Sequence, residues 1–291
     1  MMNKVITFTL FLAVAFCLTG SAYGGYDIIL ISDAAVPGTN PSGNHIDDSL
    51  VAWLQDVGYT VDTSGMAQAY REGKKPFEDP AKVTALNSAG LVIVSRMASS
   101  GDYDADRKKW NELGNPLLLM SGYITRGESG SKRWGWTTGD SADASLTETD
   151  VKLFGFGPVD TFFDWSGAPT PGTCPKGVYL PKKDGTSEFA DEAIVFATFD
   201  DYPMMVLIPK GTDLDALNGT ANKYGTTGEL RGFMGHWGYD LDAALYGFDS
   251  FITDGYKDAL GAMVAAMIPE PAAIALLGLG GLALLRRRKG S

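Results

Sequence analysis

Three uninterrupted apolar runs, DIILI (Asp27 to Ile31), LVIV (Leu91 to Val94) and LLLM (Leu117 to Met120), end on or just before a serine: Ser32, Ser95 and Ser121. A strand with no polar alternation needs cover on both faces, which a parallel sheet between two helix layers provides. Between the first two runs, Ile46, Leu50, Trp53, Leu54 and Val57 recur at helical spacing, with Asn44 as the cap and Gly58 as the stop. YTVDT (Tyr59 to Thr63) then supplies a further strand, and helices near 79–89 and 102–113 continue the alternation. The order predicts an α/β fold with a doubly wound, mostly parallel sheet flanked by helices.

The second half has another rhythm. Ala193 to Phe199 and Met204 to Ile208 are apolar runs separated by Asp200, Asp201, Tyr202 and Pro203, the pattern of an antiparallel hairpin. Before them, a β-rich insert over about 122–192 carries Gly, Ser and Thr with Trp134, Trp136, Phe154, Phe156, Phe162, Phe163 and Trp165. Its rings have two uses open to them, packing a core of short strands or stacking on sugar rings. ITDGYKDALGAMVAAMI closes the domain as a helix capped by Thr253, with Tyr256, Leu260, Met263, Val264 and Met267 on one face.

The strand followed by Ser32-Asp33, the helix ending in DVGYTVDT, the pair LVIVSRMASSGD and PLLLMSGYITR, and the closing FITDGYKDALGAMVAAM together resemble the class I glutamine amidotransferase-like, flavodoxin-like fold of secreted proteins. The resemblance covers about residues 25–267. It implies a cysteine on a glycine-flanked elbow and a later His-x-Glu for an active member. Neither is present: Cys174 sits in PGTCPKG, and His236 is followed by Trp237 and Gly238. Ser121 lacks the elbow glycine two residues before it, where Leu119 stands. No catalytic residue is therefore assigned.

Metal chemistry fares no better. Asp102, Asp104 and Asp106 have calcium-loop spacing, but Arg107 and Leu113 occupy the positions of the turn glycine and the closing glutamate, so these acids suit a helix N-terminus. With only His45 and His236, a multi-histidine site cannot form. No cofactor is implied. What remains is the crevice at the carboxyl ends of parallel strands, where Ser32, Asp33, Ser95, Arg96 and Ser121 converge with His45 nearby. These side chains either bind a small polar ligand or simply cap helices and satisfy loop amides.

The two ends of the chain speak about location. Lys4, an apolar run from Val5 to Leu18 and the small residues of GSAYGG have the layout of a secretory signal peptide over residues 1–24, which would engage the Sec translocon and signal peptidase. Cys174 then remains as the single thiol of the exported chain, which excludes an internal disulfide. The formal charge of −11 deepens once the terminal basic residues are lost, so nucleic acid is not a partner.

Residues 268–291 join Pro269, Glu270 and Pro271 to an apolar membrane helix over 272–285 and a basic end over 286–289. Fourteen helical residues extend about 21 Å, short of a bilayer core of about 30 Å. This tail closely resembles the PEP-CTERM sorting signal. The resemblance implies transient anchoring in the inner membrane, an exosortase that cuts near the Pro-Glu-Pro, and delivery to the cell surface or extracellular matrix, often alongside exopolysaccharide. The expected protein is a sorted, non-catalytic α/β binding or structural module; the alternative is an envelope or polysaccharide hydrolase or amidase with a rearranged nucleophile.

Overall fold

The computed structural model describes residues 26–32, 47–66, 69–98, 101, 103–127, 133–139, 141–144, 151–153, 162–168, 178–181, 188–199, 202–236 and 247–268. Strands β1 (Ile28–Ile31), β3 (Leu91–Val94) and β4 (Leu117–Leu119) fall on the three apolar runs, and every one of their residues is buried. They join β2 (Val61–Asp62) and β10 (Arg231–Met234) in parallel, in the order β2-β1-β3-β4-β10. Beyond β10 the same eight-stranded sheet turns antiparallel through β9 (Tyr202–Ile208), β8 (Ile194–Phe199) and β6 (Val151–Leu153). A separate antiparallel pair, β5 (Ser141–Ala144) with β7 (Val178–Pro181), comes from the insert.

Helix α1 (Asp48–Asp56) connects β1 to β2, α2 (Pro80–Ser88) connects β2 to β3, and α3 (Arg107–Asn111) precedes β4. Because the path steps outward to β2 and then back across β1 to β3, right-handed crossovers put α1 and α2 on opposite faces. The closing helix α6 (Asp254–Met267) shares the face of α1: a Cβ on its Gly261 would lie 3.7 Å from the Trp53 ring. The fold is a mixed α/β sheet with helices packed on it.

Local chemistry explains the ends. Asp79 caps α2 by accepting the Ala81 N–H at 3.0 Å, with Pro80 at the first helical position. Thr253 caps α6, and Tyr256, Leu260, Met263, Val264 and Met267 are buried as the spacing predicts. Gly58, at φ +104°, ends α1 in the left-handed region. The short helices α4 (Gly122–Thr125) and α5 (Leu214–Leu217) follow β4 and β9.

Some expectations need correction. The helix predicted near 102–113 shrinks to Arg107–Asn111, with Asp104 and Asp106 ahead of it pairing forward onto Arg107 and Lys109 in its first turn. YTVDT contributes only Val61 and Asp62 to the sheet. Tyr202 and Pro203 belong to β9 rather than to the turn, opposite Phe199 and Thr198, where register shifts in β8 accommodate the proline. Asn44, Asp102, Phe154 and Phe156 lie outside the described residues, as do the signal segment and the tail from Pro269 onward. Among the described residues no helix is long and apolar enough to cross a membrane.

Candidate functional site

Register alone sets up the site. Ile31 pairs with Val94, Val94 with Leu119, and Leu119 with Phe233, so Ser32 and Ser95 leave the sheet level with each other. Ser121 and His236 stand two and three residues past the last paired positions, in a row along the carboxyl edge. That row is Ser32 after β1, Ser95 and Arg96 after β3, Ser121 after β4, and His236 after β10. All five are buried. Crevices outside this edge, at the point where strand order reverses, are the usual ligand position of such sheets. Asp33 and His45 lie outside the described residues.

The acid that organises the row is one that sequence reasoning missed. Asp47, at the N-cap position of α1 and fully buried, makes no side-chain cap bond to its own helix. Instead its Oδ2 accepts the Ser32 hydroxyl at 2.6 Å and the Ser95 hydroxyl at 2.5 Å. Ser95 Oγ in turn accepts the Met97 N–H at 3.1 Å. Ser95 thus both satisfies a loop amide and ties β3 to α1. The sequence does hold one signal for this role, an acid just before a helix that follows a strand ending in Ser, but nothing in the spacing points it backward.

Arg96, 1 % exposed, is the counter-charge. Burial lowers its proton affinity, while the charges of Asp47 and Asp249 and the nearby Tyr256 oppose that loss. Burial also pushes the Tyr256 phenol well above its ordinary value, with Arg96 pulling the other way. Tyr256 reaches back from α6 to donate its hydroxyl to the Gly235 carbonyl at 3.0 Å. His236 lies edge-on to Tyr256 at 5.3 Å and bonds the Phe248 carbonyl through Nε2 at 3.0 Å, which makes that nitrogen the donor.

Ser121 occupies the N-cap of α4 with φ −103° and ψ 109°, an extended conformation and not the strained turn of an exposed nucleophile. Its buried Oγ has no hydrogen-bond partner among the described residues, so no base is joined to it there. Cys174 lies outside the described residues. No group of three or more acids, histidines or cysteines gathers into a metal site among the described residues.

The aromatic insert has a definite use. Trp134 stacks on Trp110 at 5.5 Å and contacts Trp136 at 6.0 Å, and Phe163 stacks on Trp165 at 5.0 Å. These insert rings and Phe162 are at most 1 % exposed, which overturns sugar stacking for the five of them and makes them core.

Against known proteins, the informative likeness is in the tail. Residues 268–289 match the PEP-CTERM protein-sorting motif. The PEP-CTERM match covers the Pro-Glu-Pro, the apolar run and the basic end, and it marks an exported, exosortase-processed protein with a C-terminal membrane anchor. No curated protein matches the chain. Among solved structures, the cytoplasmic protein STM3548 from Salmonella typhimurium is 13% identical with a TM-score of 0.44, over 78% of this chain and 89% of that one. The cytoplasmic protein STM1381 from Salmonella typhimurium LT2 gives 13% and 0.44, over 76% and 87%.

Proposed function

We propose that this chain is a cell-surface or extracellular-matrix protein whose amidotransferase-like domain serves as a non-catalytic binding or structural module. Sorting rests on the PEP-CTERM motif at 268–289. The non-catalytic reading rests on the carboxyl edge. There the serines that follow β1 and β3 are committed to Asp47, Arg96 balances that acid, and Ser121 is not bonded to His236. An acyl-transfer site needs its nucleophile and base within hydrogen-bond reach. An extracellular polysaccharide of the producing cell is the proposed partner, engaged through the outer surface, since the insert rings are core. Sec translocon, signal peptidase and exosortase are its processing partners.

Two measurements test this. Intact mass of the mature protein should show the basic end of residues 286–289 removed; material that keeps it contradicts sorting. Pull-down on the producer's exopolysaccharide should retain the domain, and no retention with or without calcium refutes the matrix role. The alternative hydrolase or amidase reading keeps one observation, the buried unpartnered hydroxyl of Ser121 in the same row as His236. Covalent labelling of Ser121 by a fluorophosphonate, abolished by Ser121→Ala, would favour it over the module.

A further inference from the structure

The direction of α6 determines which edge of the sheet the sorting tail leaves from. Tyr256, in its first turn, bonds Gly235 just past the end of β10, while Met267, its last residue, packs on Gly232 near the strand's beginning. The helix therefore runs antiparallel to β10 and ends at the amino edge, opposite the row of Ser32, Ser95, Arg96, Ser121 and His236. The chain also enters β1 at this edge, since Ile28 is level with Val61 and Leu91 at the starts of β2 and β3.

The tether between this edge and the apolar run is short. Met267 is buried, and Ile268 packs against the core and donates its N–H to the Val264 carbonyl at 3.0 Å. The apolar run begins four Cα steps later, at Ala272, a reach of at most about 14 Å even when fully extended. Four-residue strands set the two edges about 13 Å apart, so their heights above a bilayer are distinguishable.

We propose that, while the tail is embedded, the domain stands on the amino edge of its sheet against the outer surface of the bilayer, with the carboxyl-edge row turned away from the lipid. This rests on the sorting reading and deepens it: the lipid surface is the partner of one edge, and the other is left to a ligand. The amino edge suits that contact. Tyr26, one of two large apolar side chains strongly exposed among the described residues, precedes β1 at this edge, and an aromatic with a polar tip fits the headgroup layer. On this edge Glu229 pairs with Lys210 at 3.0 Å, which blunts its repulsion from anionic lipid.

The membrane-held form, purified from an expression host and checked by intact mass, is reconstituted in phosphatidylcholine vesicles carrying a headgroup-linked spin label. In a background of C17S and C174S, a fluorophore is attached through Tyr26→Cys, Gly114→Cys or Asp249→Cys in turn. Gly114 follows α3 at the amino edge, where an added Cβ meets nothing within 4 Å; Asp249 lies on the Arg96 side. The expected result is loss of fluorescence at the first two positions and none at Asp249→Cys. Equal or stronger quenching at Asp249→Cys overturns the orientation. Failure to co-float with vesicles is a separate result, since it overturns the anchor itself. A flexible insertion between Ile268 and Pro269 should weaken quenching at Tyr26→Cys and Gly114→Cys; unchanged quenching there would overturn the short tether as its cause.

Discussion

Asp47 is the residue on which the carboxyl edge depends. It receives two hydroxyls from neighbouring strands and faces a buried guanidinium, so its removal strands several polar groups at once. Leaving buried donors without their acceptor costs about 1–3 kcal/mol. Asp47→Ala should therefore destabilise the domain by about that amount in urea unfolding, whereas Asp47→Asn keeps one acceptor oxygen for the serines and should cost less. A loss below about 1 kcal/mol in the alanine variant would show that water replaces the carboxylate. None of this is legible in the sequence, because the serines that meet Asp47 stand 15 and 48 residues away from it.

Elements were far more legible than sites. Unbroken apolar runs carry their own instruction, cover on both faces, so β1, β3 and β4 are readable from composition within four or five residues. Helix α6 is readable because its cap and its buried stripe agree. The turn after α5 is not readable, since its order comes from one carboxylate: Asp215 accepts the Thr220 hydroxyl at 2.7 Å and the N–H groups of Lys223, Tyr224 and Gly225 at 2.9 Å each. Partial burial pushes its pKa up, but these donors outweigh that and bring it from 3.8 down to about 2. With the folded value below the unfolded one, the stabilisation is complete above pH 3.8 and is lost as pH falls from there through about 2. Thermal melts across that window should show this step in the native protein and its loss in Asp215→Asn. Near neutral pH the variant should be less stable by about 1–2 kcal/mol, at the low end for charged hydrogen bonds because the site is partly in water.

Across the whole molecule, α3 is where the insert, the parallel strands and the α5 region meet. Asn111 donates to the carbonyls of Trp134 and Tyr224 and accepts the Trp136 indole N–H at 2.8 Å. Buried Arg231 closes the same knot from β10, reaching the carbonyls of Asn111 and Leu113 at 2.6 Å and of Asn115 at 2.7 Å. A guanidinium satisfies several carbonyls through a planar fork that an ammonium cannot reproduce. Arg231→Lys should thus cost about 2–3 kcal/mol and accelerate amide exchange in both 111–115 and 134–136. Acceleration confined to β10 would mean that the knot does not couple the insert to the sheet. Sequence periodicity has no access to such contacts, which span more than a hundred residues.

Met267 lies against Gly232 so tightly that a methyl group at 232 would collide with its sulfur. One of these positions is inside the sheet and the other is two residues before the Pro-Glu-Pro. A side chain gained at 232 displaces the end of Met267 or calls for a smaller residue there. The last turn before the sorting signal is thus part of the domain's interior packing, and exchanging the tail between proteins is safest downstream of Ile268.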